Sequence, residues 1–125
     1  MKAFIDANVI IKAFTDNPDK EKCRHLLYGD FVTNTLCLVE AQHAIGVITR
    51  DRISAADCVK SLFKSGGTIV PLDINLLFES YKRTVRHKLN VFDLIHFVTA
   101  LLSRCDTIFS YDKDFDNLEI KRLEP

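Results

Sequence analysis

Lys2-Ala3-Phe4-Ile5-Asp6-Ala7-Asn8-Val9-Ile10-Ile11 is the stretch on which the fold turns. Its first half is a short apolar run without polar alternation, the pattern of a strand covered on both faces. The run stops on an acid, and the residues that follow suit a helix. Four more stretches have the same brevity and β-branched or aromatic character. With the first, the predicted strands are Lys2–Ile5, Phe31–Thr33, Thr68–Leu72, Thr107–Tyr111 and Ile120–Leu123. Helical segments fill the intervals. Asn17-Pro18 predicts an N-cap with proline at the first helical position, opening a helix to about Tyr28. Ser54 followed by Asp57 predicts a capping-box start, with Gly66-Gly67 as the stop. Asp73 predicts the cap of a helix carrying Lys82, Arg83, Arg86 and Lys88 along its second half, and Asn90 opens Val91–Arg104. Alternating strands and helices predict a parallel five-stranded sheet in a three-layer α/β/α sandwich, one domain over residues 1–125.

Composition narrows the function. Seventeen basic side chains balance seventeen acidic ones in 125 residues. A protein gripping long nucleic acid over its whole surface would be strongly basic, so a nucleic-acid site here is local or absent. Cys23, Cys37, Cys58 and Cys105 are scattered and form no C-x-x-C pair, which argues against a disulfide framework or zinc site. Asp6 interrupts the apolar opening, and no apolar run reaches membrane-spanning length. The expectation is a cytoplasmic protein.

In open α/β sheets, ligands bind beyond the carboxyl ends of the strands. Asp6 directly follows the first predicted strand, and Asp112 follows the fourth. By itself Asp6 reads as a helix cap; with Asn8 nearby it also reads as a metal ligand. Glu40 lies in Leu36-Cys37-Leu38-Val39-Glu40-Ala41-Gln42-His43-Ala44-Ile45, a helical run apolar on most sides. A carboxylate there needs either an Arg or Lys from another helix or a cation. Asp93 stands at the mouth of the apolar run Leu94–Leu102, where a first-turn acid also suits the helix dipole. His96, one turn further on, reads as a core histidine rather than a ligand. In Ser110-Tyr111-Asp112-Lys113-Asp114-Phe115-Asp116 the acids alternate as in a calcium-binding EF-hand loop. The sixth position from Asp112 is Asn117, however, and the twelfth is Leu123, so that reading fails. The better reading has Asp112 facing the site, Phe115 anchoring a turn in the core, and Asp114 or Asp116 assisting. Carboxylates gathered in this way repel one another unless hard cations bind between them.

These pieces resemble the PIN-domain nucleases. The resemblance rests on Phe4-Ile5-Asp6-Ala7-Asn8-Val9, Glu40, Asp93-Leu94-Ile95-His96 and Ser110-Tyr111-Asp112-Lys113-Asp114-Phe115, in the family's order and spanning nearly the whole chain. It implies a sheet of order 3-2-1-4-5 and hydrolysis of single-stranded RNA with Mg²⁺ or Mn²⁺. It also implies acidic ligands at Asp6, Glu40, Asp93 and Asp112, with Asn8, Ser110 and Asp114 accessory. Lys12, Arg83, Arg86, Lys88 and Lys113 are candidates for steering RNA. Homodimerisation is a family habit, and small single-domain members are often toxins held by a small antitoxin; an RNA-processing nuclease without antitoxin is the near alternative. Ala7 and Ser110 stand where many members carry Ser or Thr and Thr.

Other classes fit less well. A haloacid-dehalogenase-like phosphatase needs an acid at the position of Asn8. A receiver-like signalling module would use Asp73, which reads better as a helix cap. A non-catalytic binding module has only the neutral charge in its favour.

Overall fold

Strand β1 (Ala3–Ile5) lies at the centre of an all-parallel sheet of order β3-β2-β1-β4-β5 in the computed structural model, which describes residues 1–125. The others are β2 (Val32–Asn34), β3 (Thr68–Val70), β4 (Thr107–Phe109) and β5 (Lys121–Leu123). Phe4 is in register with Val32 on one side and Ile108 on the other. Every residue of β1, β2 and β4 is buried, whereas the edge strands β3 and β5 are partly exposed. That burial is why the inner strands show no alternation.

Six helices connect the strands: α1 (Ala7–Ala13), α2 (Lys20–Leu26), α3 (Thr35–Thr49), α4 (Arg52–Lys60), α5 (Ile74–Lys82) and α6 (Val91–Leu102). The chain steps one way through β1, β2 and β3, then crosses to the other side of β1 to make β4. Right-handed crossovers therefore place α1–α4 on one face and α5–α6 on the other. Strand order reverses at β1, so the crevice beyond its carboxyl end is the natural ligand position. The order differs from the 2-1-3-4-5 of receiver-like folds, and Asp73 accepts from the Leu76 N–H as the cap of α5. The core is one cluster of 29 buried apolar residues.

Several predicted boundaries shift. Asn17 does not cap α2; its Oδ1 accepts from the Asp19 N–H in a turn, and the helix begins at Lys20. Asp51, not Ser54, caps α4, accepting from the Ser54 N–H. That helix ends at Lys60 and tightens into a 3-10 turn over Ser61–Lys64, before Gly66-Gly67. Gly67 has a different role: a Cβ there would lie 2.2 Å from the Phe31 ring, so only glycine permits this approach. α5 stops at Lys82, leaving Arg83, Arg86 and Lys88 in the segment leading to Asn90 rather than on the helix. α3 is not apolar-buried all round either: Cys37, Leu38, Ala41 and Ile45 face the core, and Val39, Val47 and Ile48 face outward.

Candidate active site

The end of β1 delivers Asp6 into the fold, buried, with both oxygens directed. Oδ1 accepts from the Ala7 N–H at 2.8 Å, so Asp6 does cap α1, and Oδ2 accepts from the Ser110 hydroxyl at 2.7 Å. The cap and the Ser110 bond each occupy one lone pair and leave the others free. Ser110, at the end of β4, ties the neighbouring pieces together. Its oxygen accepts from Asn8 Nδ2 at 3.2 Å and from the Asp112 N–H at 3.0 Å. Asn8 in turn accepts from the Tyr111 N–H. Asn8 thus orients Asp6 through Ser110.

Asp93 enters from the first turn of α6. Asn90 caps that helix by accepting from the Asp93 N–H, and its amide donates to Asp93 Oδ2 at 3.0 Å. Asp112 heads the 3-10 turn Lys113–Phe115, accepting from the Asp114 N–H, while Phe115 is fully buried beneath. Ligand oxygens of Asp93, Asp112 and Asp114 lie within 4.8 Å of one another. Asp116 points elsewhere and pairs with Arg122 at 2.6 Å.

The electrostatics match this crowding. Burial, then the charges of Asp112 and Asp6, push the Asp93 carboxyl up to about 7. Burial also raises Asp6, against the opposing pull of His96 and the Ser110 and Ala7 hydrogen bonds, and Glu40 adds to the rise. No Lys or Arg forms an ion pair with Asp6, Asp93, Asp112 or Asp114. Closely packed carboxylate oxygens without a cationic partner are the donor set that a hard divalent ion suits.

Glu40 has a partner of a kind its sequence setting did not suggest. Its Oε1 lies 2.6 Å from Nε2 of His96, which is buried against the Phe4 ring. The histidine does belong to the core, but its polar edge meets the candidate site. A signal was available: Asp93, His96 and Thr99 recur every third residue in an otherwise apolar helix, a polar line on one buried face.

Cys37 lies beside the same ring, with Sγ 3.4 and 3.7 Å from the two nitrogens. Asp6, Cys37 and His96 bring ligand atoms within 4.8 Å of one another, but Nε2 of the ring is already engaged by Glu40 and Nδ1 by Asn34. Burial pushes the Cys37 thiol up, so it stays neutral.

The candidate RNA contacts differ in freedom. Lys12 is half-buried over the Tyr111 ring, 3.9 Å from Asp19. Arg86, Lys88 and Lys113 are exposed, and Arg83 is partly buried.

The PIN domain family model matches residues 3–121, and the chain belongs to the PIN-domain family. Similar solved structures include Mycobacterium tuberculosis VapC20, described as a sarcin–ricin loop cleaving toxin. It has a TM-score of 0.76 at 12% identity, over 94% of this chain and 98% of that one. A toxin–antitoxin complex from Klebsiella pneumoniae matches with a TM-score of 0.73 at 15% identity, covering 93% and 92%. VapBC2 from Rickettsia felis, bound to a promoter DNA fragment, matches with 0.72 at 16%, covering 99% and 98%. At these identities the likeness speaks to the fold. No curated protein matches the sequence.

Proposed function

We propose that the chain is a cytoplasmic endoribonuclease that hydrolyses phosphodiester bonds in single-stranded RNA, and that it is the toxin of a toxin–antitoxin pair. The observation that carries the reading is the cluster of Asp93, Asp112 and Asp114, with Asp6 close enough to raise Asp93 further and no Lys or Arg to neutralise it. Asp6, Glu40, Asp93 and Asp112 would hold Mg²⁺ or Mn²⁺. Such an ion, when bound, supplies a water of lowered pKa and offsets charge on the phosphate. Ser110 and Asn8 keep Asp6 aimed, Asn90 keeps Asp93 aimed, and Asp114 completes the rim. Arg86, Lys88 and Lys113 are free to attract the RNA backbone.

The toxin reading is supported by the complexes in which similar folds occur and by two exposed apolar surfaces. Along α5 and beyond, Ile74, Phe78, Tyr81 and Val85 form an exposed stripe, a surface suited to a second copy. Between α3 and α4, Val39, His43, Gly46, Val47 and Arg52 line an open groove of about 540 Å³ that suits an antitoxin segment. A single-protomer mass in solution would remove the dimer from this reading.

Incubation of single-stranded RNA with the protein and Mn²⁺ is the direct assay. Cleavage is expected to stop on adding EDTA and to fall at least about 100-fold in Asp6→Asn, given what an ion and its ligands contribute, with the fold intact by circular dichroism. Full activity in that variant would exclude Asp6 from the chemistry.

A further inference from the structure

The hydrogen bonds around His96 can be assigned in only one self-consistent way, starting from groups whose roles are fixed. The Thr99 hydroxyl donates to the Ile95 carbonyl at 2.7 Å, so its oxygen receives the Asn34 amide at 2.9 Å. Asn34 Oδ1 accepts from the Cys37 backbone N–H at 2.7 Å, which fixes the amide's orientation. Its nitrogen therefore also faces Nδ1 of His96, at 3.0 Å, and must donate there. Nδ1 is the acceptor, so the ring proton sits on Nε2 and points at Glu40 Oε1. The Asn34 amide hydrogen occupies the place that a second ring proton, on Nδ1, would take.

Glu40 has no other side-chain partner. From these contacts we infer that His96 is a positioning residue for Glu40: a neutral imidazole, locked as the Nε2–H tautomer by Asn34, that holds Oε1 and leaves Oε2 free to take a ligand. This rests on the reading of Glu40 as a cation ligand. A neutral donor suits that role. It restrains a half-exposed side chain without cancelling its charge, as a Lys or Arg partner would. Because Asn34 ends β2 and caps α3, the same side chain that starts the Glu40 helix also sets the tautomer that aims Glu40.

Two measurements test this. In the metal-free full chain, ¹⁵N spectra of labelled histidine, with His96 assigned by its loss in His96→Gln, are expected to show the proton on Nε2 alone. In calorimetric titration with Mn²⁺, His96→Leu is expected to bind about 10–100-fold more weakly, the usual effect of removing a ligand's hydrogen-bond partner. His96→Gln, whose amide N–H reaches the place of Nε2–H, is expected to regain most of that loss. A proton on Nδ1, or a folded His96→Leu with wild-type Mn²⁺ affinity, overturns the inference. If His96→Leu does not fold, the tautomer and the Mn²⁺ affinity of His96→Gln decide, and in that case weak binding by His96→Gln also overturns it. Failure of the wild-type chain to bind Mn²⁺ is a different result, which removes the cation reading of the whole site and this inference with it.

Discussion

Asp93 concentrates the energetic conflict of the site in one side chain. Its carboxyl titrates at about 7, against an ordinary 3.8, because burial and the charges of Asp112 and Asp6 all oppose its ionisation. The folded protein therefore holds a proton there that the unfolded chain has already lost. Stability from this group is present below about pH 4 and is lost as pH rises toward about 7. Without metal, the Tm is expected to be lower at about pH 7.5 than at about pH 5, and Asp93→Asn should flatten that difference. Added Mn²⁺ should raise the Tm more at the higher pH, where the carboxylate form is available to bind it. An unchanged pH slope in Asp93→Asn would show that the conflict lies elsewhere. At this scale the sequence was legible in part. Asp6, Asp93 and Asp112 could be seen at a strand end or helix mouth. The partner of Glu40 could not, because periodicity along one helix does not say which residue of another, 56 positions away, will meet it.

Caps and turns belong to the next scale. Asp73 and Asn90 were legible because each is a side-chain acceptor directly before a helix and bonds the N–H three residues on. Asn17 and Ser54 carry the same chemistry but bend or join the chain differently, since a better acceptor, Asp51, stands upstream of Ser54, and Asn17 folds a turn onto Asp19. Asp73→Ala is expected to cost about 1 kcal/mol, the usual loss for a removed cap, and to lower the Tm by about 3–5 °C for a chain of this size. RNA cleavage should survive, since Asp73 has only this structural role. Cleavage that fell as far as in Asp6→Asn would put Asp73 in the site and contradict the sheet order's exclusion of a receiver-like phosphoacceptor.

For the molecule as a whole, the alternation of brief strands and amphipathic or apolar helices was enough to foresee a parallel sheet with helices on both faces. What gathers the site is the reversal of strand order at β1, which brings the ends of β1 and β4 side by side and lets Ser110 bridge Asp6 to the Asp112 backbone. The two apolar surfaces were not foreseen. Val39 stood in a helical run read as apolar on most sides, and the fold leaves it outside together with Val47 and Ile48. The most direct test of the whole arrangement is anomalous diffraction from a crystal soaked in Mn²⁺. A single peak, or a close pair, is expected within about 2.0–2.5 Å of carboxylate oxygens from Asp6, Asp93 and Asp112. A fully occupied crystal with no peak there, while the same preparation cleaves RNA, would contradict it.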